Sequence, residues 1–496
     1  MIRTRFAPSP TGYLHIGNLR TTLFEYLFAK HNKGTFIIRV EDTDQERLVP
    51  GAVESMLKTL EWVGIFPDEG PTLNADGTIS EKGEYGPYVQ SKRLDIYKKY
   101  LQELIDNGNA YYAFDSTEEL TAMRERQQAR KLPTKYDRAH MRNQFTLPPN
   151  EVAQMLASDA PRVVRLKVPE TGEVSFDDIV HGKTVFDCKE IDDQVLLKSD
   201  GFPTYHLAVV VDDHLMEITH VIRGDDWISS TPKHILLYQA FGWTPPWHAH
   251  VPNVIGNDKL KLSKRQGDVS TESYRAKGYL PEALVNFLAF VGWNPGTEKE
   301  IYSLDELIKD FSLEKVSKAS GVFNVEKLDW FNKEYLKNLS TSELVQRALP
   351  WFKQADWFKK LTINNKQLAS AISLERERVT TLAELPEAVR FVFELPDYNE
   401  KMLVWKKSSR EEVDKIIPEL KNFLGGIPNS DWNKANLENR VGEWLKAKGY
   451  TTGSVLWPLR VALSGQQNSP GPYEIAEVLG QAETITRLDN ATAKLK

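Results

Sequence analysis

The chain has 496 residues, 41% hydrophobic and 27% charged, which suits roughly three or four folding units that each bury a core without staples. Its formal net charge is −6, from 63 basic and 69 acidic side chains, so bulk charge announces no nucleic-acid partner, and any such contact must rest on local patches. A single cysteine, Cys188, excludes an internal disulfide and a cysteine-rich zinc site and points to a reducing compartment.

The opening MIRTRFAPSP lacks the basic-then-apolar plan of a signal peptide, and no stretch nears the ~18 apolar residues of a membrane span. The expectation is a cytoplasmic protein with no membrane contact. Residues 2–7 predict a short strand, broken by Pro8, Pro10 and Gly12. Leu19, Leu23, Phe24, Leu27 and Phe28 then recur at helical spacing up to Gly34, a residue suited to a left-handed cap. Residues 35–40 predict a second strand, ending in the acidic cluster Glu41-Asp-Thr-Asp44. Strand, helix and strand without a hairpin turn make a βαβ unit and hence a parallel sheet.

From 109 to 193 the chain changes character and reads as an insertion. Residues 124–142 carry seven basic against two acidic side chains, followed by strand-like pieces at 163–168 and 185–188. Strand signals return at 195–198, 207–211 and 220–222, with a helix over 233–241 and mostly helix beyond Gly267. Val413, Ile416, Ile417, Leu420, Phe423 and Leu424 form one apolar face, and Ser408 with Glu411 or Ser409 with Glu412 fits a capping box at its start. Seven of the twelve tryptophans follow Val325 and are expected in a helical core; the tail 490–496 is expected to fray.

Two short motifs carry chemistry. Ala7-Pro-Ser-Pro-Thr-Gly-Tyr-Leu-His-Ile-Gly-Asn18 joins a strand to a helix N-terminus, where free N–H groups favour a phosphate and where open parallel sheets bind ligands. His15 could donate to a polyphosphate, and Gly17 would let a flat base approach the backbone. Lys261-Leu-Ser-Lys-Arg265, flanked by Gly256 and Gly267, is a basic loop suited to neutralising a polyphosphate. Each is weak alone, since a basic pentapeptide is usually a solvated surface.

Together, these HIGH-like and KMSKS-like elements resemble those of class I aminoacyl-tRNA synthetases. Arg5-Phe-Ala-Pro-Ser-Pro-Thr-Gly12, Val40-Glu-Asp-Thr-Asp44, Gly86-Pro-Tyr-Val-Gln-Ser91, Ser199-Asp-Gly-Phe-Pro-Thr-Tyr-His206 and Val211-Asp-Asp-His214 are similar to glutamyl-tRNA synthetases. Pro458-Leu-Arg-Val-Ala-Leu-Ser-Gly465 and Tyr473-Glu-Ile resemble the bacterial form's C-terminal region, so the likeness spans essentially the whole chain.

The resemblance implies an α/β class I Rossmann catalytic domain with an α+β insertion, followed by an all-α anticodon-binding region. The implied segments are 1–108 and 194–253 for the two Rossmann halves, and 109–193 for the acceptor-stem-binding insertion. Residues 254–325 would hold the KMSKS-type loop and a helical stem-contact region, and 326–385 and 386–496 two helical anticodon-binding subdomains.

The implied activity is ligation of L-glutamate to tRNA(Glu) through a glutamyl-adenylate, with ATP as substrate, Mg2+ accompanying it, and a monomeric enzyme that activates glutamate once tRNA is bound. Ala7, His15, Gly17, Asn18, Trp227, Val254 and Ile255 would border ATP, and Lys264, assisted by Lys261, would meet its phosphates. Asn18 stands where the HIGH pattern ends in histidine. Arg5, Ser9, Glu41, Tyr205 and Arg223 would hold the amino acid, Glu41 pairing with the ammonium and the two arginines facing the side-chain carboxylate. A guanidinium fork matches a carboxylate in two bonds, and an amide would leave its charge unpaired. Arg378, with Arg376 beside it on a predicted helix, would meet the anticodon's third base.

Some relatives carry zinc in the insertion, but Ala113-Phe-Asp115 stands where their Cys-x-Cys pair falls, so zinc is not expected. His248 and His250, alternating in a strand-like stretch, are too few to argue a metal. Helical periodicity in the last third opposes a glutaminyl enzyme, which ends in β-barrels. Length opposes the short tRNA-modifying relative, and a HIGH-fold nucleotidyltransferase would not need the helical domains. The alternatives left open are a form that also glutamylates tRNA(Gln) and an inactive tRNA-binding paralogue.

Overall fold

The strand Arg3–Phe6 and the strand Thr35–Ile38 pair in parallel, Arg3 opposite Thr35 and Phe6 opposite Ile38, with the helix Ile16–His31 crossing between them. This is the expected βαβ unit. On its other side Arg3 exchanges hydrogen bonds with Thr219, just before the strand His220–Gly224, which pairs in parallel with Trp247–Val251. The computed structural model describes residues 1–158, 160–262 and 269–496. Two compact units divide the chain: Met1–Tyr274 with Leu284–Val325, and Arg275–Ala283 with Glu326–Lys496.

Within the first unit, the 109–193 segment does not stand apart. Its strands Ala110–Ala113 and Val163–Leu166 form an antiparallel sheet with Val195–Leu197. Its hairpin, Glu173–Asp178 with Gly182–Asp187, extends the parallel sheet through a bridge from Asp178 to His248.

Two local expectations are corrected. Residues 207–211 are helical, inside Tyr205–Leu215, and all five are buried. A continuous apolar run has no period to separate a buried strand from a buried helix. The left-handed residue after the first helix is Lys33 (φ 53°), not Gly34. Glycine is needed at 34 because a Cβ there would lie 2.3 Å from the Ile2 carbonyl oxygen.

The second unit is helical. Helix Arg410–Gly425 starts at a complete Ser409/Glu412 capping box, while the Ser408 hydroxyl is buried without a hydrogen-bond partner among the described residues. Val413, Ile416, Ile417, Leu420 and Leu424 are buried, and Phe423 stacks on Trp444. Trp357 and Trp444 are core residues; Trp351, Trp432 and Trp457 are half-buried and donate their indole N–H to main-chain carbonyls. Arg487 is buried and donates to the carbonyls of Phe391, Val392 and Leu463, satisfying the C-terminal ends of two helices. The tail is helical rather than frayed: Pro472–Leu495, kinked at Gly480, keeps Leu488, Ala491 and Leu495 buried. No described helix is long and apolar enough to cross a membrane.

Candidate active site

The candidate residues gather beyond the carboxyl ends of the parallel strands, the edge where open α/β sheets bind ligands. Ala7 and Ser9 follow Phe6, Glu41 follows Ile38, Trp227 follows Gly224, and Val254 and Ile255 follow Val251. Ser9 and Asn18 are exposed, whereas Glu41, Arg5 and Arg223 are buried.

His15 is the N-cap of the first helix, and its Nδ1 accepts from the Gly17 N–H at 3.0 Å. A Cβ at Gly17 would sit 3.2 Å from that nitrogen, so the glycine serves the histidine's capping geometry. Beyond the KMSKS-type segment, the chain at 269–271 is anchored to this loop. The Ile16 N–H donates to the Val269 carbonyl (2.8 Å), the Thr271 N–H to the Leu14 carbonyl (3.1 Å), and His15 bridges Ser270. The segment's near side is held by the Leu262 N–H on the Val254 carbonyl (3.1 Å) and by a bridge from Lys261 to Ile255. Lys261 is exposed and pairs with Asp226 at 3.1 Å. Lys264 lies outside the described residues. The first loop and residues 269–271, distant in sequence, thus meet at one edge.

Trp227 lies in the short turn Asp225–Ser230 with its ring 4.6 Å from that of Tyr205 and 5.9 Å from the Arg223 guanidinium carbon. Beneath it lies a buried ionic cluster. Arg5 donates to Asp213 (3.1 Å) and faces Glu25 (3.6 Å). Arg39, fully buried, donates to Glu41 (2.9 Å) and Asp213 (2.7 Å). Asp212 accepts from Arg93 and Tyr97, each at 2.8 Å. Burial alone would raise Asp213, but the Arg5 and Arg39 guanidinium groups hold its carboxyl below the usual carboxylate range. Burial pushes Glu25 well above that range. Arg5 is therefore already paired with carboxylate, and one Glu41 oxygen is engaged by Arg39.

Arg223 differs. Its hydrogen bonds run to His250 Nε2 (3.1 Å), the Tyr205 hydroxyl (3.0 Å), His234 Nδ1 (3.4 Å) and Thr231 Oγ1 (2.8 Å). Burial lowers His234 well below the usual histidine value, with Arg223 adding to the effect. Burial lowers His250 as well, so every one of these acceptors is neutral.

Residues 1–330 match the family "tRNA synthetases class I (E and Q), catalytic domain", and residues 343–492 match "Anticodon binding domain". The glutamate–tRNA ligase of Chloroherpeton thalassium is 45% identical, covering 100% of this chain and 98% of its own length. That of Clostridioides difficile is 44% identical, covering 98% of each. The chain belongs to the glutamyl-tRNA synthetase family of class I. A crystal structure of a glutamate tRNA ligase from Elizabethkingia meningosepticum in complex with its amino acid superposes with TM-score 0.90 at 37% identity, covering 100% of both chains.

In a family that handles tRNA, the basic side chains sort by whether the protein already uses them. Of the seven in 124–142, Lys135 donates to the Lys189 carbonyl, Arg138 grips Asp193 in two bonds (2.6 and 2.7 Å), and Arg142 lies 3.8 Å from Glu119 and Glu151. Arg124, Arg126, Arg130 and Lys131 are exposed and form no ion pair among the described residues. At the Cys-x-Cys position, Asp115 accepts from the Tyr136 hydroxyl (2.7 Å) and the Arg142 N–H (2.6 Å), so both its oxygens are engaged.

The predicted helix carrying Arg376 and Arg378 ends one residue earlier, at Glu375, and both arginines lie in the following turn. Arg376 donates to the carbonyls of Leu336 (3.0 Å) and Leu339, beside the end of helix Val325–Asn338, and so faces the protein. Arg378 is exposed and meets only Glu375 (3.0 Å) among the described residues.

Sequence reasoning missed Arg39, Arg93, Asp178 and the pairing roles of Asp212 and Asp213. Charges inside the apolar stretches 35–40 and 207–213 were the available signal, because a buried charge needs a partner.

Proposed function

We propose that this chain ligates L-glutamate to tRNA(Glu) in two steps. A glutamate α-carboxylate oxygen attacks the α-phosphorus of ATP in line, giving glutamyl-adenylate and pyrophosphate; the 2′-hydroxyl of the terminal tRNA ribose then takes the glutamyl group and releases AMP. No side-chain nucleophile is needed, and the protein contributes positioning and neutralisation of charge on the leaving pyrophosphate. The observation that carries this reading is the meeting of Leu14–Ile16 with Val269–Thr271 at the strand edge that also bears Arg223.

In this reading His15, Gly17, Asn18 and Ala7 border ATP with Trp227, Val254 and Ile255, and Lys264 and Lys261 meet the phosphates. Arg223, Tyr205, Arg5, Ser9 and Glu41 hold glutamate. Mg2+ accompanies the ATP phosphates; among the described residues no cluster of three metal-binding side chains stands ready for it. The free cations Arg124, Arg126, Arg130 and Lys131 support acceptor-stem contact by segment 109–193, with 254–325 as a further stem contact. Subdomains 326–385 and 386–496 read the anticodon, with Arg378 the more available arginine of its pair. The enzyme acts as a cytoplasmic monomer.

ATP-dependent attachment of labelled glutamate to purified tRNA(Glu) and, separately, tRNA(Gln) tests this. Charging of tRNA(Glu) alone is expected. Charging of both would keep the reaction and remove discrimination by Arg378. Charging of neither by folded, tRNA-binding protein would point to an inactive paralogue.

A further inference from the structure

Arg223 is held by four neutral acceptors although carboxylates serve the neighbouring buried arginines. One of those acceptors has a dependent geometry. His250 Nε2 can accept from Arg223 Nε only when the imidazole proton sits on Nδ1. Nδ1 lies 2.6 Å from Asp178 Oδ2. Asp178 also accepts the main-chain N–H groups of His250 (3.0 Å), Val180 (3.0 Å) and His181 (2.9 Å), an environment that suits an ionised carboxylate with no proton to give. It is 3% exposed and ends the hairpin strand Glu173–Asp178, whose bridge to His248 joins segment 109–193 to the parallel sheet.

We propose that Asp178 is a positioning residue for amino-acid selection: it fixes His250 in the Nδ1–H tautomer, so that Nε2 orients Arg223 without neutralising it. The inference rests on the reading of Arg223 as the partner of the substrate's side-chain carboxylate. A carboxylate set directly against Arg223 would satisfy its charge and weaken the preference for an acid over an amide. With an imidazole interposed, the guanidinium is aimed while its charge is left for the substrate. The same hairpin ties the segment proposed to meet the acceptor stem to the pocket for the amino acid.

The test compares full-length wild type, Asp178→Asn and Arg223→Lys in charging tRNA(Glu), with KM for glutamate and for ATP measured separately. In Asp178→Asn the amide can donate to Nδ1, which favours the Nε2–H tautomer and sets two donors against each other. The expected result is a KM for glutamate raised about 10- to 100-fold, the effect of spoiling one hydrogen bond to a charged group, with KM for ATP within about twofold. Nitrogen-15 NMR of the histidines should show His250 protonated on Nδ1 in the wild type. An unchanged glutamate KM in Asp178→Asn, or glutamate and ATP KM rising together with a lowered Tm, overturns the proposal. So does a wild-type His250 protonated on Nε2, which decides the matter even if the variant does not fold. An Arg223→Lys enzyme with wild-type glutamate KM overturns the underlying reading of Arg223 itself.

Discussion

Buried arginines in the catalytic unit divide by the company they keep. Arg39 is structural: its guanidinium joins Glu41 and Asp213 with no exposed surface. Removing it would leave Glu41 without its arginine and Asp213 with Arg5 alone in a dry environment, and breaking such a cluster costs about 3–5 kcal/mol. Arg39→Ala is therefore expected to lower unfolding free energy by that amount in urea titration of the catalytic unit; a loss under ~1 kcal/mol would mean the cluster is solvated. Among the described residues no carboxylate pairs with Arg223, which is what a reader of an acidic side chain requires. Family resemblance singled out Arg223 and Arg5. It could not rank them, because the distinction lies in partners drawn from strands and helices distant in sequence.

The elements were legible where turns punctuate them and obscure where burial is complete. The βαβ unit was readable because Pro8, Pro10 and Gly12 close one strand and the helical spacing then begins. The helix Tyr205–Leu215 was not, because Leu207–Val211 is apolar on every side. Gly34 suits a left-handed cap in the sequence, but its role is close approach, with a Cβ meeting the Ile2 carbonyl oxygen at 2.3 Å and the Ile2 Cβ at 2.9 Å. Main chain must move to admit a methyl group, so Gly34→Ala should cost at least the ~1–3 kcal/mol of an overpacked core. Its midpoint in urea should fall accordingly, and an unchanged midpoint would show that the first strand slides freely. The Asp178–His250 pairing was invisible for a different cause, since it depends on a hairpin of the 109–193 segment meeting the parallel sheet.

Across the whole molecule, titratable groups are unevenly shared. All ten histidines precede residue 251, so the C-terminal helical unit has none. Burial lowers His206 to about 3 and lowers His234, His248 and His250 from the ordinary 6.5, with nearby cations adding to the effect. In the unfolded chain these rings take protons below pH 6.5, so unfolding is favoured as pH falls from there toward the depressed folded values. Their stabilisation is complete above 6.5 and is lost below it, by up to about 1.4 kcal/mol per pH unit for each ring. Hydrogen exchange between pH 7 and 5 should therefore show the catalytic unit weakening while the helical unit holds; equal weakening of both would contradict the assignment. The central claim, that Arg223, buried and held by neutral groups, makes this an acid-selecting tRNA ligase, is tested most directly by charging of tRNA(Glu) with labelled glutamate against labelled glutamine. A site built around a charged partner should favour glutamate by a kcat/KM ratio on the order of 10⁴ or more. Comparable charging by both amino acids would contradict it.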